Sequence, residues 1–319
     1  MLSAVRGQGN ALPFLRRLAE GKAISPLLLV GEEGTGKRFA SIQLAKEMLC
    51  QESKVENCPC ANCYQIDKAV HPDILILSPE DGKEIGIAPV REMIEQALLN
   101  PLMGSVRFFI VDGVDRMTMP AANAILKTLE EPHHTTRFLL LAELKTKVIP
   151  TIRSRCGEVI FERLTEDLVM AGLQRFEKDD AKALVYARMA EGSLGRAIRL
   201  WGSGSLRLRD QVLSLIELGL TGDVSPLFSQ VDSMSQSLPF ALRLMAHATH
   251  DIAMIRVDPT RIYNVDAHER VATIARTINV DAFHRFRAGL NTLLLRQERT
   301  RINLPFHVKT LFIDAFQGS

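Results

Sequence analysis

The residues best suited to chemistry lie in a glycine-rich loop, Gly31-Glu32-Glu33-Gly34-Thr35-Gly36-Lys37-Arg38. Gly31, Gly36 and Lys37 keep the GxxxxGK spacing, in which glycines let backbone N–H groups wrap a phosphate and the lysine sets a charge beside its outer oxygens. The pattern fails at its last position. A serine or threonine hydroxyl would ligate Mg²⁺ there, whereas Arg38 offers only donors. Further on, Phe108-Phe109-Ile110-Val111-Asp112 is an apolar run ending in a carboxylate, the expected Mg²⁺ partner of such a loop. A glutamate directly after it would orient or deprotonate the attacking water, and the sequence has Gly113 instead. Asp115 reads as a surface or capping group. Gly31, Gly34, Gly36, Lys37 and Asp112 are thus candidate contacts to ATP or ADP, in a site that has lost two groups on which hydrolysis depends.

Cysteine usage is uneven. Four of the five cysteines, Cys50, Cys58, Cys60 and Cys63, fall close together, and the fifth is Cys156. Four thiolates satisfy tetrahedral Zn²⁺ and leave no open coordination position, so zinc here would be structural. The Cys58-Pro59-Cys60 spacing is tighter than the usual CxxC and leaves fewer backbone N–H groups to cradle the sulfurs; free thiols are the alternative. His71, in His71-Pro72-Asp73, reads as the lead-in to a strand and not as a fifth ligand. Cys156 has no base identifiable near it and reads as a buried structural residue.

Arg155, within Thr151-Ile152-Arg153-Ser154-Arg155-Cys156, follows the fourth apolar strand. An arginine so placed can cross a subunit interface to stabilise charge on a neighbour's γ-phosphate. By its position in the sequence alone, an ordinary solvated or salt-bridged arginine is the favoured alternative.

These groups need elements to hold them. Leu27–Val30 before the loop is a short apolar run of the kind buried in parallel sheets, and Phe39, Ile42, Ala45, Met48 and Leu49 recur after it at helical spacing. Further strands are expected at 74–77, 108–111, 138–141 and 159–161. Helices are expected near 89–99 and 119–130, the latter capped by Thr118 and closed by Pro132. Alternating strands and helices predict an α/β domain with a parallel sheet over residues 1–162, carrying the cysteine insertion at 50–63. Beyond it the pattern is helical: two or three short helices over 163–203 and a longer helical region over 204–319. Trp201-Gly202-Ser203-Gly204-Ser205 reads as a hinge between them. Phe283, Phe286, Leu290, Leu293 and Leu294 share one helical face.

Composition narrows the function classes. With 39 basic and 37 acidic residues among 319, the net charge of +2 argues against an autonomous DNA reader, including the scattered arginines of 285–301. No apolar run reaches the length of a membrane span and the N-terminus lacks a secretory core, so a cytoplasmic protein is expected.

Taken together, these residues resemble the clamp-loader family of bacterial replication, in the AAA+ class. The resemblance rests on the glycine loop, the four-cysteine insertion and His71-Pro72-Asp73. It rests also on Ala121-Ala122-Asn123-Ala124-Ile125-Leu126-Lys127-Thr128-Leu129-Glu130-Glu131-Pro132 and on Ser154-Arg155-Cys156. It implies an AAA+ domain, a small helical lid and a helical collar. It also implies a pentameric ring with the delta subunit and the gamma or tau motor subunits, acting on the sliding clamp and primed DNA. The motor subunits keep a complete loop, a glutamate after the strand-end aspartate and a polar sensor where this chain has Ala142-Glu143-Leu144. In Gly192-Ser193-Leu194-Gly195-Arg196 the arginine falls one place later than their nucleotide-sensing one. These departures imply a non-hydrolysing member that lends Arg155 to a neighbour. An ATP-hydrolysing gamma- or tau-like motor with unusual motif residues is the alternative.

Overall fold

Five apolar segments form one parallel sheet: β1 (Leu27–Val30), β2 (Ile74–Leu77), β3 (Arg107–Asp112), β4 (Thr136–Ala142) and β5 (Gly157–Ile160). A computed structural model describes residues 1–22, 26–52, 55, 58–80, 83–297 and 302–317. Arg299 and Arg301 of the basic stretch at 285–301 lie outside the described residues. The strand order is β2-β3-β4-β1-β5, so β4 inserts between the strand that leads into the glycine loop and the strand that ends in Asp112. Leu29 pairs with Leu141 on one side and Val159 on the other, and Asp112 is in register with Leu141. Strand β5 stops one residue before the expected 161, but the Phe161 N–H still donates to the Val30 carbonyl at 2.7 Å.

Successive side chains along these strands enter opposite layers, as a period of two requires. Leu27, Leu29, Phe108, Ile110, Leu139 and Leu141 pack in one core with Leu15 and Leu18 of α1 (Leu12–Ala19) and Leu44 and Leu49 of α2 (Lys37–Leu49). Leu28, Phe109, Val111, Phe138 and Leu140 pack in the other. That core also holds Val90 and Met93 of α4 (Ile87–Ala97), Ala121 of α5 (Met119–Ala124), Leu129 of α6 (Leu126–Glu130) and Ile152 of α7 (Pro150–Arg153). The remaining helix of this region, α3 (Ala61–Asp67), is capped by Cys60 and carries Cys63 of the cysteine insertion in its first turn.

Two local expectations change. Of the α2 face read as Phe39, Ile42, Ala45, Met48 and Leu49, only Phe39 turns away, at 47% exposed; Ala45 and Leu49 are buried, Ile42 and Met48 pack half-buried against the core, and Ala40, Ser41 and Leu44 are buried in addition. The sheet lies on one side of α2, and α1, α3 and the N-terminal turn lie on others, so it buries more than one stripe. The helix expected over 119–130 is two helices joined at Ile125, with Thr118 Oγ1 accepting from the Ala121 N–H as the N-cap.

The chain groups into two compact units, Met1–Val169 with Glu191–Arg196, and Met170–Ala190 with Ala197–Ser319. Three short helices, α8 (Glu166–Leu173), α9 (Asp180–Met189) and α10 (Leu194–Gly202), occupy the expected stretch. The second unit contains α11 (Ser205–Thr221), α12 (Val224–Ser233), α13 (Leu238–Met254), α14 (His268–Thr277), α15 (Val280–Gln297) and α16 (Leu304–Phe316). Phe283, Phe286, Leu290 and Leu293 of α15 are buried and Leu294 is half-buried; Phe286 packs against Phe312 and Phe316 at ring-centroid distances of 5.0 and 5.4 Å. The stretch read as a hinge is a two-residue turn between α10 and α11, where the Ser203 and Ser205 hydroxyls both donate to the Leu200 carbonyl. No helix among the described residues is long and apolar enough to cross a membrane.

Candidate nucleotide and metal sites

The glycine loop joins β1 to α2, and its carbonyls are held by the protein one after another. Lys37 Nζ donates to the Gly31 and Glu32 carbonyls at 2.6 and 2.8 Å. Ser193 Oγ donates to the Glu33 carbonyl at 2.8 Å, the Gly195 N–H to the Gly34 carbonyl at 3.1 Å, and Gln8 Nε2 to the Thr35 carbonyl at 3.1 Å. A loop with its carbonyls so engaged presents its N–H side to an anion, the orientation phosphate binding needs. Arg163 adds a charged tie to the Glu32 carboxylate at 2.8 Å. The sequence reading found the loop but missed Gln8, Arg163 and Ser193 as its supports. Their bonds span up to 160 residues, so no local signal in the sequence pairs them with the loop.

Gly34 and Gly195 are matched by shape. Gly34 has φ of +77°, and a Cβ there would stand 2.2 Å from Ser193 Oγ and 3.1 Å from the Arg196 nitrogen. Arg196 itself pairs with Glu191 at 3.7 Å.

The cation side of the site is altered. Arg38 Nη1 lies 3.5 Å from Asp112 Oδ2, so a guanidinium faces the carboxylate expected to bind Mg²⁺. These residues do not fit a divalent ion: Arg38 contributes no oxygen and already neutralises Asp112. Gly113 has φ of +102°, a region L side chains rarely adopt, and a Cβ there would meet Pro79 Cδ at 3.3 Å. A glutamate at this position would therefore be strained as the backbone stands. Asp115 Oδ2 accepts from the Glu143 and Leu144 N–H groups at 3.1 and 3.0 Å, tying down the loop after β4 as a capping group. Burial pulls the Lys37 ammonium below its ordinary value, opposed by the carboxylates of Glu143, Asp112, Asp115 and Glu33. Glu143, where a polar neutral sensor was the motor pattern, thus adds negative charge near the lysine.

Arg155 lies just after α7, and its side chain is partly exposed. Its Nε and Nη2 donate to Glu130 Oε2 at 3.4 and 3.2 Å, and its Nη1 donates to the Thr151 carbonyl at 3.0 Å. Cys156 beside it has its thiol pushed up to about 12 by burial, which suppresses the thiolate a nucleophile requires.

The four clustered cysteines converge. Their sulfurs all lie within 4.8 Å of one another, and Cys50 and Cys58 Sγ are 3.6 Å apart. Tetrahedral Zn–S bonds of about 2.3 Å place sulfurs about 3.8 Å apart, so the set fits zinc. The Cys63 N–H points to Cys60 Sγ at 3.5 Å, the backbone support that the Cys60–Cys63 CxxC spacing allows. Against the push of burial, N–H groups of Cys63 and Gln51 draw the Cys60 thiol down to about 7. For Cys58 the Cys60 N–H pulls down, but burial and the Cys50 and Cys60 thiols outweigh it and leave the thiol at about 11. Burial raises Cys63 as well. Met1 packs on this cluster.

His71 and Asp73 build a support, not a ligand set. The Asp73 carboxylate, wholly buried, accepts from the Leu102, Met103 and Gly104 N–H groups at 2.7, 2.7 and 2.8 Å. His71 Nδ1 accepts from the Asp73 N–H at 3.1 Å.

A family model described as DNA polymerase III, delta subunit, matches residues 7–165. Among solved structures, a DNA polymerase III gamma subunit-related protein from Thermotoga maritima superposes with a TM-score of 0.56, covering 95% of this chain and 99% of that one at 18% identity. Glycine loop, strand order and helical C-terminal region together define an AAA+ fold of the clamp-loader type. The chain is 37% identical over 138 residues to DNA polymerase III subunit delta' of Bacillus subtilis, a match spanning 43% of this chain and 42% of that relative's own length. It is 30% identical over 220 residues to subunit delta' of Pseudomonas aeruginosa, spanning 67% of each. The chain belongs to the DNA polymerase III delta' family.

Proposed function

We propose that this chain is a non-hydrolysing subunit of a clamp loader, which completes the ATP site of a neighbouring gamma- or tau-type motor with Arg155. The Arg38–Asp112 pair at 3.5 Å carries this reading: a guanidinium sits opposite the carboxylate that hydrolysis would need for its metal. The backbone at Gly113 supports it further, since a water-orienting side chain there would be strained. The carbonyl-bound glycine loop is read as a retained cradle that can hold the phosphates of ATP or ADP without turning them over. Zn²⁺ on Cys50, Cys58, Cys60 and Cys63 is read as structural. Residues 163–203 form the lid and 204–319 the collar of a pentameric ring in this reading. The ring holds the delta subunit and acts, in the cytoplasm, on the sliding clamp and primed DNA.

ATPase measurement on the purified chain tests the first half. The expected rate is indistinguishable from buffer and unchanged by Lys37→Ala. Appreciable turnover abolished by Lys37→Ala would instead establish the gamma- or tau-like motor alternative. The second half is tested in a ring reconstituted with delta and motor subunits, where Arg155→Ala should lower ATPase while assembly remains intact.

A further inference from the structure

We infer that Glu130 is the positioning residue for Arg155, holding its guanidinium in one orientation with donors left over for a neighbour's phosphate. This rests on the reading of Arg155 as a trans-acting group. An arginine on a surface loses rotamer freedom when it engages an oxyanion, and a long side chain that must search for its target loses transition-state stabilisation accordingly. The surroundings of Arg155 remove that search. Glu130 closes the last turn of α6 and takes Nε and Nη2 on a single oxygen, Oε2, at 3.4 and 3.2 Å. Thr151, in α7, takes Nη1 on its carbonyl at 3.0 Å, and the same carbonyl accepts the Ser154 hydroxyl at 3.1 Å.

Two elements distant in sequence therefore grip the guanidinium from two directions. Of its five N–H donors, these contacts use three, and two remain without an acceptor among the described residues. One N–H on Nη1 and one on Nη2 thus stay available, the number a bidentate Arg–phosphate contact uses. The hold is also weak enough to adjust. Both side chains reach solvent, Glu130 more than Arg155, and an ion pair in that setting orients its partners more than it binds them. Glu130 thus acts through Arg155 and has no role of its own toward the nucleotide.

The test is a double-mutant cycle in the reconstituted ring, reading ATPase kcat and KM for Glu130→Ala, Arg155→Ala, the double variant and Glu130→Gln. Glu130→Ala is expected to lower kcat by about three- to tenfold with KM for ATP unchanged. It should have no further effect in the Arg155→Ala background. Glu130→Gln, which keeps an acceptor oxygen, should recover most of the loss. If Arg155→Ala itself leaves the rate unchanged, the trans-acting reading falls. If Arg155→Ala lowers the rate but Glu130→Ala does not, or if Glu130→Ala lowers it equally in both backgrounds, Glu130 is no positioning residue and the inference is overturned while that reading stands.

Discussion

Replacing Gly34 and Gly36 separately by alanine divides the two demands placed on the glycine loop. Both glycines have positive φ, +77° and +99°, so an alanine at either carries backbone strain of about 1–2 kcal/mol. Only Gly34 adds a collision. Its Cβ would stand 2.2 Å from Ser193 Oγ and 3.1 Å from both the Gly195 Cα and the Arg196 nitrogen, whereas a Cβ at Gly36 meets nothing within 4 Å. The Ser193 hydroxyl would have to leave the Glu33 carbonyl, and because Ser193 is buried its lost bond adds about 1–3 kcal/mol. Gly34→Ala should therefore destabilise the first unit by about 2–5 kcal/mol and Gly36→Ala by about 1–2 kcal/mol. At roughly 2–4 °C per kcal/mol for a unit of this size, Gly34→Ala should melt about 10 °C below the parent and Gly36→Ala only a few degrees below. Ser193→Ala combined with Gly34→Ala should lose less than the sum of the two, because the colliding atom is gone. Melting by circular dichroism, with hydrogen exchange over residues 191–196, reads both effects. Equal melting temperatures for the two glycine variants would refute the claim that Gly34 is a packing position.

The cysteine site should bind one zinc ion per chain, and Cys63→Ser should abolish tight binding, as measured by metal analysis and chelator competition. Its affinity should fall by at least about tenfold per unit as pH drops from 8 to 6, because Cys58, at about 11, must always shed its proton to ligate. An affinity flat across that range would show that the thiolates are not the ligands. For Asp73, burial pushes the carboxyl up, but the N–H groups of Leu102, Gly104 and Met103 more than reverse this and hold it below its ordinary value. Its folded value being depressed, its contribution to stability is present above the ordinary carboxylate range and is lost as pH falls through the folded value. Asp73→Asn should accordingly cost about 3 kcal/mol at neutral pH and nothing additional in strong acid, measured by denaturant titration.

What could be read from the sequence follows how local each determinant is. The five strands, the loop and the cysteine set announce themselves within short windows, because an apolar run or a ligand spacing is complete in itself. The exposure of Phe39 on α2 was not legible, since a helix packed on several sides carries no single stripe and Phe39 looks as apolar as Leu44. Long-range polar ties were equally hidden. Gln8 donates to the Thr35 and Glu162 carbonyls and accepts from the Glu162 N–H, yet nothing near Gln8 in the chain points to either partner. In the second unit, buried Asp251 accepts from the Tyr263 and Asn264 N–H groups at 2.7 and 2.8 Å, and Arg209 grips both Asp266 oxygens at 2.7 and 2.8 Å. No motif or spacing in the sequence singles out those residues.

The shape of the glycine loop and the residues beside Asp112 answer to different constraints in this geometry. A phosphate loop freed from catalysis would drift unless something else required its shape. Here the carbonyls of Gly31, Glu32, Glu33, Gly34 and Thr35 are each the acceptor for a group elsewhere in the first unit, and Gly34 is the surface on which Gly195 rests. Arg38 is half exposed opposite the carboxylate expected to hold a metal, whereas Gly113 is held to glycine by its φ of +102° and by Pro79 Cδ, 3.3 Å from where a Cβ would stand. Arg38 even supplies Asp112 with the positive charge that a metal would otherwise have provided. A side chain that leaves the cradle intact while removing the cation site is what a subunit needs if its loop serves structure and its chemistry is directed outward through Arg155.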